Sequence, residues 1–285
     1  LLSGSTLENG LISIKPNVKY KEVIKKISTD ALVKDASCDF DPTSAITLTE
    51  RIIQPTELQV NLQLCKKDFH SDWEASQQGF SAFDSLPPKF SDFLLSHVGA
   101  KVAQKTEQTI WNGAAATAGE FNGFKALMLA DADVTDVGGG AAVTAANVIA
   151  KIGLVVDAIG SSLYTSDEMF IYVSQNVARA YVRALGGFAT NVGAAGINSD
   201  GTQWYTGGTL SFDGIKLAVA NGLADNTMVA AEKSNLFFGT GLMADANQVK
   251  VIDMADIDGS QNVRVVMRYT AGVQYGIGSD IVLYS

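Results

Sequence analysis

The stretch that decides the fold is residues 44–65, SAITLTERIIQPTELQVNLQLC. Its second half alternates apolar with polar residues at a period of two, which is typical of a half-buried β-strand. The apolar positions are Leu58, Val60, Leu62 and Leu64. Ile46 and Leu48 alternate with threonines in the same way upstream, and Pro55 favours a turn between the two runs. The pattern predicts a long two-stranded hairpin.

A hairpin of this kind is only marginally stable in water unless its apolar face is covered. The neighbouring sequence offers little cover, so we expect the hairpin to lie across a second subunit. The residues predicted to make this inter-subunit contact are Pro55, Leu58, Val60, Leu62 and Leu64.

A long helix is predicted downstream of the hairpin, over residues 89–112. Apolar residues recur there at four-residue steps from Phe90 to Ile110. Pro87 and Pro88 precede this pattern and Gly113 follows it, which matches the usual signals for a helix start and stop. A helix of this length is longer than an ordinary globular domain needs.

The first 36 residues are interpreted as a detached N-terminal arm with an extended piece at 11–14 and a short helix at 19–33. The arm has few large apolar residues, so we expect it to serve assembly more than subunit stability. It also holds the locally basic stretch of this chain. Its basic residues are candidates for contact with a polyanion or a neighbour: Lys19, Lys21, Lys25 and Lys26.

The rest of the chain predicts an α+β fold with mostly antiparallel strands. Helices are expected at 145–163 and 175–185, around a strand at 169–173. Residues 186–208 are rich in glycine and predict a loop. Further strands are expected at 209–212, 215–220, 228–231, 235–238 and 249–253, followed by a meander at 263–269, 273–277 and 281–284.

Composition and charge exclude several classes of protein. The 285 residues carry 21 basic and 30 acidic side chains, a net charge of −9, which argues against tight nucleic-acid binding. Lys151 and Asp157 interrupt the longest apolar stretch, so no membrane span is expected. Two cysteines are too few for a disulfide framework.

The sequence contains no recognisable catalytic, cofactor or metal motif. The two histidines, His70 and His97, have no partner at metal-ligand or triad spacing. A Gly-x-Gly-x-x-Ala run begins at Gly239, but Val249 follows Gly241 too closely for the crossover that a nucleotide-binding unit requires. We therefore expect no catalytic residue, no cofactor and no metal.

The order of the elements resembles the major capsid proteins of tailed double-stranded DNA bacteriophages, which share the HK97-like fold. The hairpin at 44–65 resembles the extended E-loop of that family, and EQTIWNG at 107–113 resembles the end of its spine helix. Further resemblances occur at EFNGF (120–124), FIYVSQNVARAYVRAL (170–185), LSFDGIKL (210–217) and VRVVMRYTAGVQYG (263–276). Two of these, 120–124 and 210–217, lack the proline that the family has there.

The resemblance implies a division of the chain. The expected parts are an N-terminal arm (1–36), an E-loop hairpin (37–80), a peripheral domain with the spine helix (81–144), an axial domain (145–260) and closing strands (261–285). In that family an N-terminal segment is often removed, so the start at Leu1 fits either a cleaved subunit or a trimmed terminus.

The resemblance also implies a function. The chain is expected to be a non-enzymatic shell subunit that assembles in the host cytoplasm into the hexamers and pentamers of a virion capsid. Implied partners are other copies of itself, decoration, portal and scaffolding proteins, and packaged DNA by weak contact only. The excess of acidic residues after residue 125, fifteen against eight basic, agrees with weak DNA contact. A nanocompartment shell of the encapsulin type and a soluble α+β enzyme remain alternatives.

Overall fold

The computed structural model describes residues 5–29, 46–67, 88–138, 141–185, 210–242 and 248–285, with a few single positions between 33 and 38. These residues form a mixed α+β fold in which strands outweigh helices. The helices are α1 Ser5–Glu8, α2 Pro88–Asn112, α3 Phe124–Leu129, α4 Val148–Asp157, α5 Gln175–Leu185 and α6 Ala255–Asp258. The strands are β1 Ser13–Lys15, β2 Glu22–Thr29, β3 Ile46–Ile53, β4 Thr56–Cys65, β5 Thr135–Asp136, β6 Met169–Val173, β7 Ser211–Phe212, β8 Ile215–Val219, β9 Met228–Glu232, β10 Leu236–Thr240, β11 Val249–Asp253, β12 Asn262–Tyr275 and β13 Val282–Tyr284.

The largest strand, β12, organises the first sheet. β4 pairs antiparallel with it from Cys65 opposite Asn262 to Thr56 opposite Ala271. β11 and β10 follow one another along β12 and pair with its first and second halves. β1 adds to β10 in parallel. Every second residue of β12 is buried, from Val263 onwards, so this sheet presents one continuous face to the core.

The predicted 44–65 hairpin is wrong in its pairing, although both strands exist. β3 pairs antiparallel with β2, from Ile53 opposite Glu22 to Ile46 opposite Thr29, and these two strands form a separate two-stranded sheet. β4 pairs with β12 instead. Alternation identifies a strand and its faces but carries no information on its partner. By pairing with β12, β4 places Leu58, Val60 and Leu64 against the first core.

The predicted helix at 19–33 is also wrong, because residues 22–29 form β2. Val23, Ile24, Ile27 and Thr29 are β-branched and lose side-chain freedom in a helix. Their spacing at i and i+4 matches a helix face, but strand pairing with β3 outweighs that local pattern.

A second sheet of six strands has the order β5–β13–β9–β6–β8–β7. Helices α4 and α5 pack beside it around the second hydrophobic core, which includes Ile152, Val177 and Ile171. The first core joins the β12 sheet to α2 and α3. The second sheet therefore lies between two cores. Tyr172, Val229 and Leu283 on one of its faces belong to the first core, and the alternate residues on the other face belong to the second core.

The C-terminal region departs from the predicted meander. Residues 262–275 form one continuous strand rather than two, and β13 joins the second sheet through β9. The expected boundary at 260/261 separates β11 from β12, although the two strands are paired. The expected boundary therefore does not match the sheets: β11 and β12 belong to the first sheet, whereas β13 belongs to the second.

Several elements agree closely with the sequence pattern. The long helix, the strand at 169–173, the helix at 175–185 and the strand at 249–253 occur where they were expected. In the long helix the buried residues include the predicted stripe at four-residue steps, namely Leu94, Val98, Val102, Thr106 and Ile110. The helix predicted at 145–163 is shorter, and the predicted loop at 186–208 lies outside the described residues.

Candidate assembly surfaces

The ribbon, defined as β2 and β3, has an apolar face that is largely exposed. Val23 lies opposite Ile52 and Ile27 lies opposite Leu48, so the four side chains share one face. Their exposed fractions are 43% for Val23, 48% for Ile52, 67% for Ile27 and 62% for Leu48. Between the two apolar pairs, residues 25 and 50 add a lysine opposite a glutamate. The ribbon thus presents two apolar pairs separated by one pair of opposite charges.

The opposite face of the ribbon lies against the body of the subunit, meaning the two sheets and their helices. Ile53 at the end of β3 is completely buried. Arg51 donates from Nη2 to Oδ2 of Asp131 at 2.5 Å. The ribbon is therefore one-sided, with a bound face near its base and an exposed apolar face.

An apolar groove of about 650 Å³ runs between β4 and α2. Leu58, Val60 and Leu64 are partly buried and pack against the first core, and Leu62 is 38% exposed. The α2 wall and the rim of the groove are formed by Leu94, His97, Val98, Lys101, Val102 and Lys105. The expectation that residues 58–64 lack cover within their own chain is thus wrong, because Leu58, Val60 and Leu64 pack against the first core and α2 lies across the groove from them.

The four candidate lysines do not form one basic patch. Lys19 lies in a cleft with Arg268 and Glu57, and the Lys21 ammonium lies 5.3 Å from the ring centroid of Tyr20. Lys25 and Lys26 are adjacent in β2 and therefore point to opposite faces of the ribbon. A polyanion would meet these charges singly rather than as a cluster.

The N-terminal segment is an integral part of the subunit, which corrects the expectation of a detached arm. Leu7, Ile12 and Val18 are at most 5% exposed. The Thr6 hydroxyl donates to the carboxylate of buried Glu107 and accepts a 3.0 Å bond from Nε1 of Trp111. Sequence reasoning missed this anchor because three well-spaced apolar residues in a polar segment give a weak signal.

The described residues do not contain a cluster of side chains suited to metal binding. No group of three or more histidine, cysteine, aspartate or glutamate side chains among them could hold a metal ion. Burial raises the pKa of Tyr172, whose hydroxyl donates to the carbonyl of Leu11 at 2.6 Å. In this part of the chain, no helix combines the length and hydrophobicity needed to cross a bilayer.

A second perturbed group lies at the base of the ribbon. Desolvation by burial raises the pKa of Asp131, but hydrogen bonds from Tyr275, the Asp133 backbone N–H and Arg51 outweigh it. The pKa of Asp131 is therefore below its ordinary value. Both Tyr172 and Asp131 hold chain segments in place, which is a structural use of titratable groups.

Comparison with known proteins gives a consistent result at the level of structure. The capsid of a native GTA particle matches with a TM-score of 0.63 and 13% identity, covering 100% of this chain and 91% of that one. A structure from Gordonia phage Cozz matches with a TM-score of 0.60 and 12% identity over 99% of this chain and 86% of that one. The capsid of cyanophage P-SCSP1u matches with a TM-score of 0.57 and 11% identity over 99% and 88%.

No protein-family model and no curated protein sequence matches the chain. The structural matches nevertheless extend over almost its whole length, so they cover both sheets and the ribbon. The chain has the fold of phage capsid proteins.

Proposed function

We propose that this protein is a structural, non-enzymatic subunit of a phage-type capsid. In this proposal copies of the chain assemble into the hexamers and pentamers of an icosahedral shell that encloses double-stranded DNA. The observation that carries the proposal is the exposed apolar face of the ribbon in a chain whose whole length has a capsid-protein fold.

The ribbon face is energetically unfavourable in an isolated subunit. Complete burial of a large aliphatic side chain contributes about 1.5–3 kcal/mol, and each of these four side chains is roughly half exposed. Covering the whole face would therefore contribute roughly 3–6 kcal/mol. In the described part of the chain, β2 and β3 pair only with each other, which leaves their outer edges open to another chain.

The groove between β4 and α2 is a suitable receiving surface on a neighbouring copy. Its walls are apolar, as the ribbon face is, and Lys101 on its rim is opposite in sign to Glu50 in the middle of that face. The two surfaces are different, so the contact is heterologous, and a closed rotation of such contacts produces a ring. Under this proposal, residues 58–64 form part of the groove that binds the ribbon of a neighbouring subunit, and they do not themselves extend across that neighbour.

The net charge is consistent with weak contact to packaged DNA. At −9 the chain lacks the basic footprint that tight binding requires, and its lysines near the ribbon are dispersed. An acidic wall allows nucleic acid to be packed against the shell without being held there.

The test compares the particle-forming capacity of three variants by size-exclusion chromatography and negative-stain electron microscopy. Ile27→Asp with Leu48→Asp charges the ribbon face, and Leu62→Asp charges the groove. Both should give folded subunits, by circular dichroism, that no longer form particles. The matched control is Ile257→Asp on α6, because Ile257 is 66% exposed and Ile27 is 67% exposed.

Full-size particles from the ribbon variant would show that its apolar face is not an assembly contact. A wild-type protein that stays monomeric at high concentration would argue against a shell function altogether. The ratio of ultraviolet absorbance at 260 and 280 nm in purified particles separates a nucleic-acid shell from a compartment for protein cargo.

A further inference from the structure

Paired glycines lie beneath the point where the ribbon joins the body. Gly239 in β10 is directly opposite Gly272 in β12, so the two form a flat area on the sheet. A Cβ on Gly239 would lie 2.7 Å from Cδ1 of the buried Ile53. A Cβ on Gly272 would lie 2.9 Å from Cα of Pro55 and 3.0 Å from the Gln54 carbonyl oxygen. Only glycine permits the connection from β3 to β4 to lie this close to the sheet.

Polar contacts also fix the base of the ribbon to the body. The Arg51 guanidinium bonds Asp131 at 2.5 Å and stacks 4.5 Å from the ring centroid of Tyr275. The Tyr275 hydroxyl donates to the same Asp131 oxygen at 2.7 Å. Nε2 of Gln274 donates to the backbone carbonyl of Ile52 at 3.2 Å. One strand of the ribbon is thereby bonded to β12 and to the segment that follows α3.

We propose that these residues form a clamp that fixes the direction in which the ribbon leaves the body and that releases the ribbon as a lever when the contacts are broken. The clamp is defined as Arg51, Ile53, Asp131, Gly239, Gly272 and Tyr275. Asp131, Tyr275 and the two glycines belong to the body, whereas Arg51 and Ile53 belong to the ribbon. Breaking the clamp contacts frees the ribbon from the body. None of the six clamp residues lies on α2, so the packing of α2 against the first core is kept.

The two kinds of contact make different contributions. Adding a methyl group at Gly239 meets the flexible end of a side chain, which can move aside. Adding one at Gly272 meets backbone atoms of Gln54 and Pro55, which can move only if the connection from β3 to β4 moves with them. Gly272→Ala should therefore push the base of the ribbon away from the sheet. Arg51→Gln should remove the ion pair between the ribbon and Asp131.

The clamp acts in the unassembled subunit, so its test does not depend on the proposed function. Spin labels are attached to Thr47→Cys on the ribbon and Gln108→Cys on α2, in a chain whose Cys38 and Cys65 are replaced by alanine. The distribution of distances between the labels is then measured by pulsed electron paramagnetic resonance. Thr47 is six residues from Ile53, roughly 20 Å along an extended strand, so a tilt of about 15° moves the label by ~5 Å.

The unaltered clamp should give a single narrow distribution. Gly272→Ala should shift its mean by about 5 Å, and Arg51→Gln should broaden it. Gly99→Ala in α2 is the matched control, because a Cβ there has no atom within 4 Å, and it should leave the distribution unchanged. The near-ultraviolet circular dichroism of buried Trp111 reports that the body remains folded.

Wild-type distances in both clamp variants, with the body folded, would overturn the proposal. If Gly272→Ala fails to fold, Arg51→Gln alone decides between the two outcomes. A shift caused equally by Gly99→Ala would also count against the clamp, because it would mean that the ribbon direction is not set at this point.

Discussion

The long strand β12 and the ribbon both carry alternating apolar residues, yet they differ in what covers those residues. Along β12 the apolar side chains are buried, and Val265 and Tyr275 are 0% exposed, because α2, α3 and two flanking strands surround them. On the ribbon the corresponding side chains remain 43–67% exposed. The difference teaches that the apolar residues of β12 stabilise the subunit itself, whereas under the proposed function those of the ribbon are reserved for association.

This separation implies that damage to the two regions should have different consequences. Changes in the β12 sheet should alter the free energy of unfolding of the isolated subunit. Changes on the exposed face of the ribbon should leave that free energy nearly constant and alter association instead, because those exposed side chains gain little from folding.

The largest effect is expected from deleting residues 1–18. The deletion removes three buried side chains, Leu7, Ile12 and Val18, and at about 1.5–3 kcal/mol each their loss destabilises the body by about 5–9 kcal/mol. It also leaves Glu107 without its Thr6 donors. Urea unfolding monitored by Trp111 fluorescence measures the change. A truncated subunit of wild-type stability would restore the interpretation of this segment as a detached arm.

A somewhat smaller effect is expected from a buried charge in β12. Val265→Asp places a carboxylate at a position with 0% exposure between β4 and β11, and the cost should exceed about 4 kcal/mol. Ile27→Asp introduces the same carboxylate on the exposed face of the ribbon and should cost less than about 0.5 kcal/mol, as exposed substitutions do. Equal losses of stability in the two variants, measured by denaturant unfolding, would erase the distinction between the regions.

The smallest effect concerns pH at the junction of the regions. Because the folded-state pKa of Asp131 is lowered, its contribution to stability is present above its ordinary pKa of about 4 and is lost as the pH falls through the lowered value. The clamp should therefore loosen in acid below about pH 4. The charged or titratable groups facing Asp131 are Arg51 and Tyr275.

Repeating the spin-label measurement at about pH 6 and about pH 3 checks this prediction. Asp131→Asn should remove the pH dependence while leaving a looser ribbon at both values. The control is Asp133→Asn, because Asp133 is exposed and contributes only its backbone N–H to Asp131. An acid response that persists in Asp131→Asn would assign it to another group.

The sequence pattern predicted strand and helix identity well where one face of an element is buried in its own subunit. The stripe from Leu94 to Ile110 and the alternation from Leu58 to Leu64 both mark faces that pack on the first core. The second pattern also located the floor of the groove. It was interpreted as uncovered because β12, the strand that pairs with β4 and joins it to the first core, lies some 200 residues later in the sequence.

Strand β2 of the ribbon could not be predicted in the same way, because its apolar residues follow no single period. Val23 and Ile27 are four residues apart and Lys25 lies between them, so the stretch matches one helix face as well as one strand face. The choice is made by pairing with β3, which is a tertiary contact. The clamp could not be predicted from the sequence either, because Arg51, Asp131 and Tyr275 are distant in sequence and none belongs to a recognisable motif.

Because β12 lies near the end of the chain, the order of synthesis determines when β4 can pair with it. β4 leaves the ribosome with Cys65 but meets its partner only when residues 262–271 have been made. At about 5–20 residues per second, an interval of nearly 200 residues takes roughly 10–40 s. During that time neither the groove nor the seat of the ribbon exists, so a nascent chain has no finished surface with which to join a neighbour.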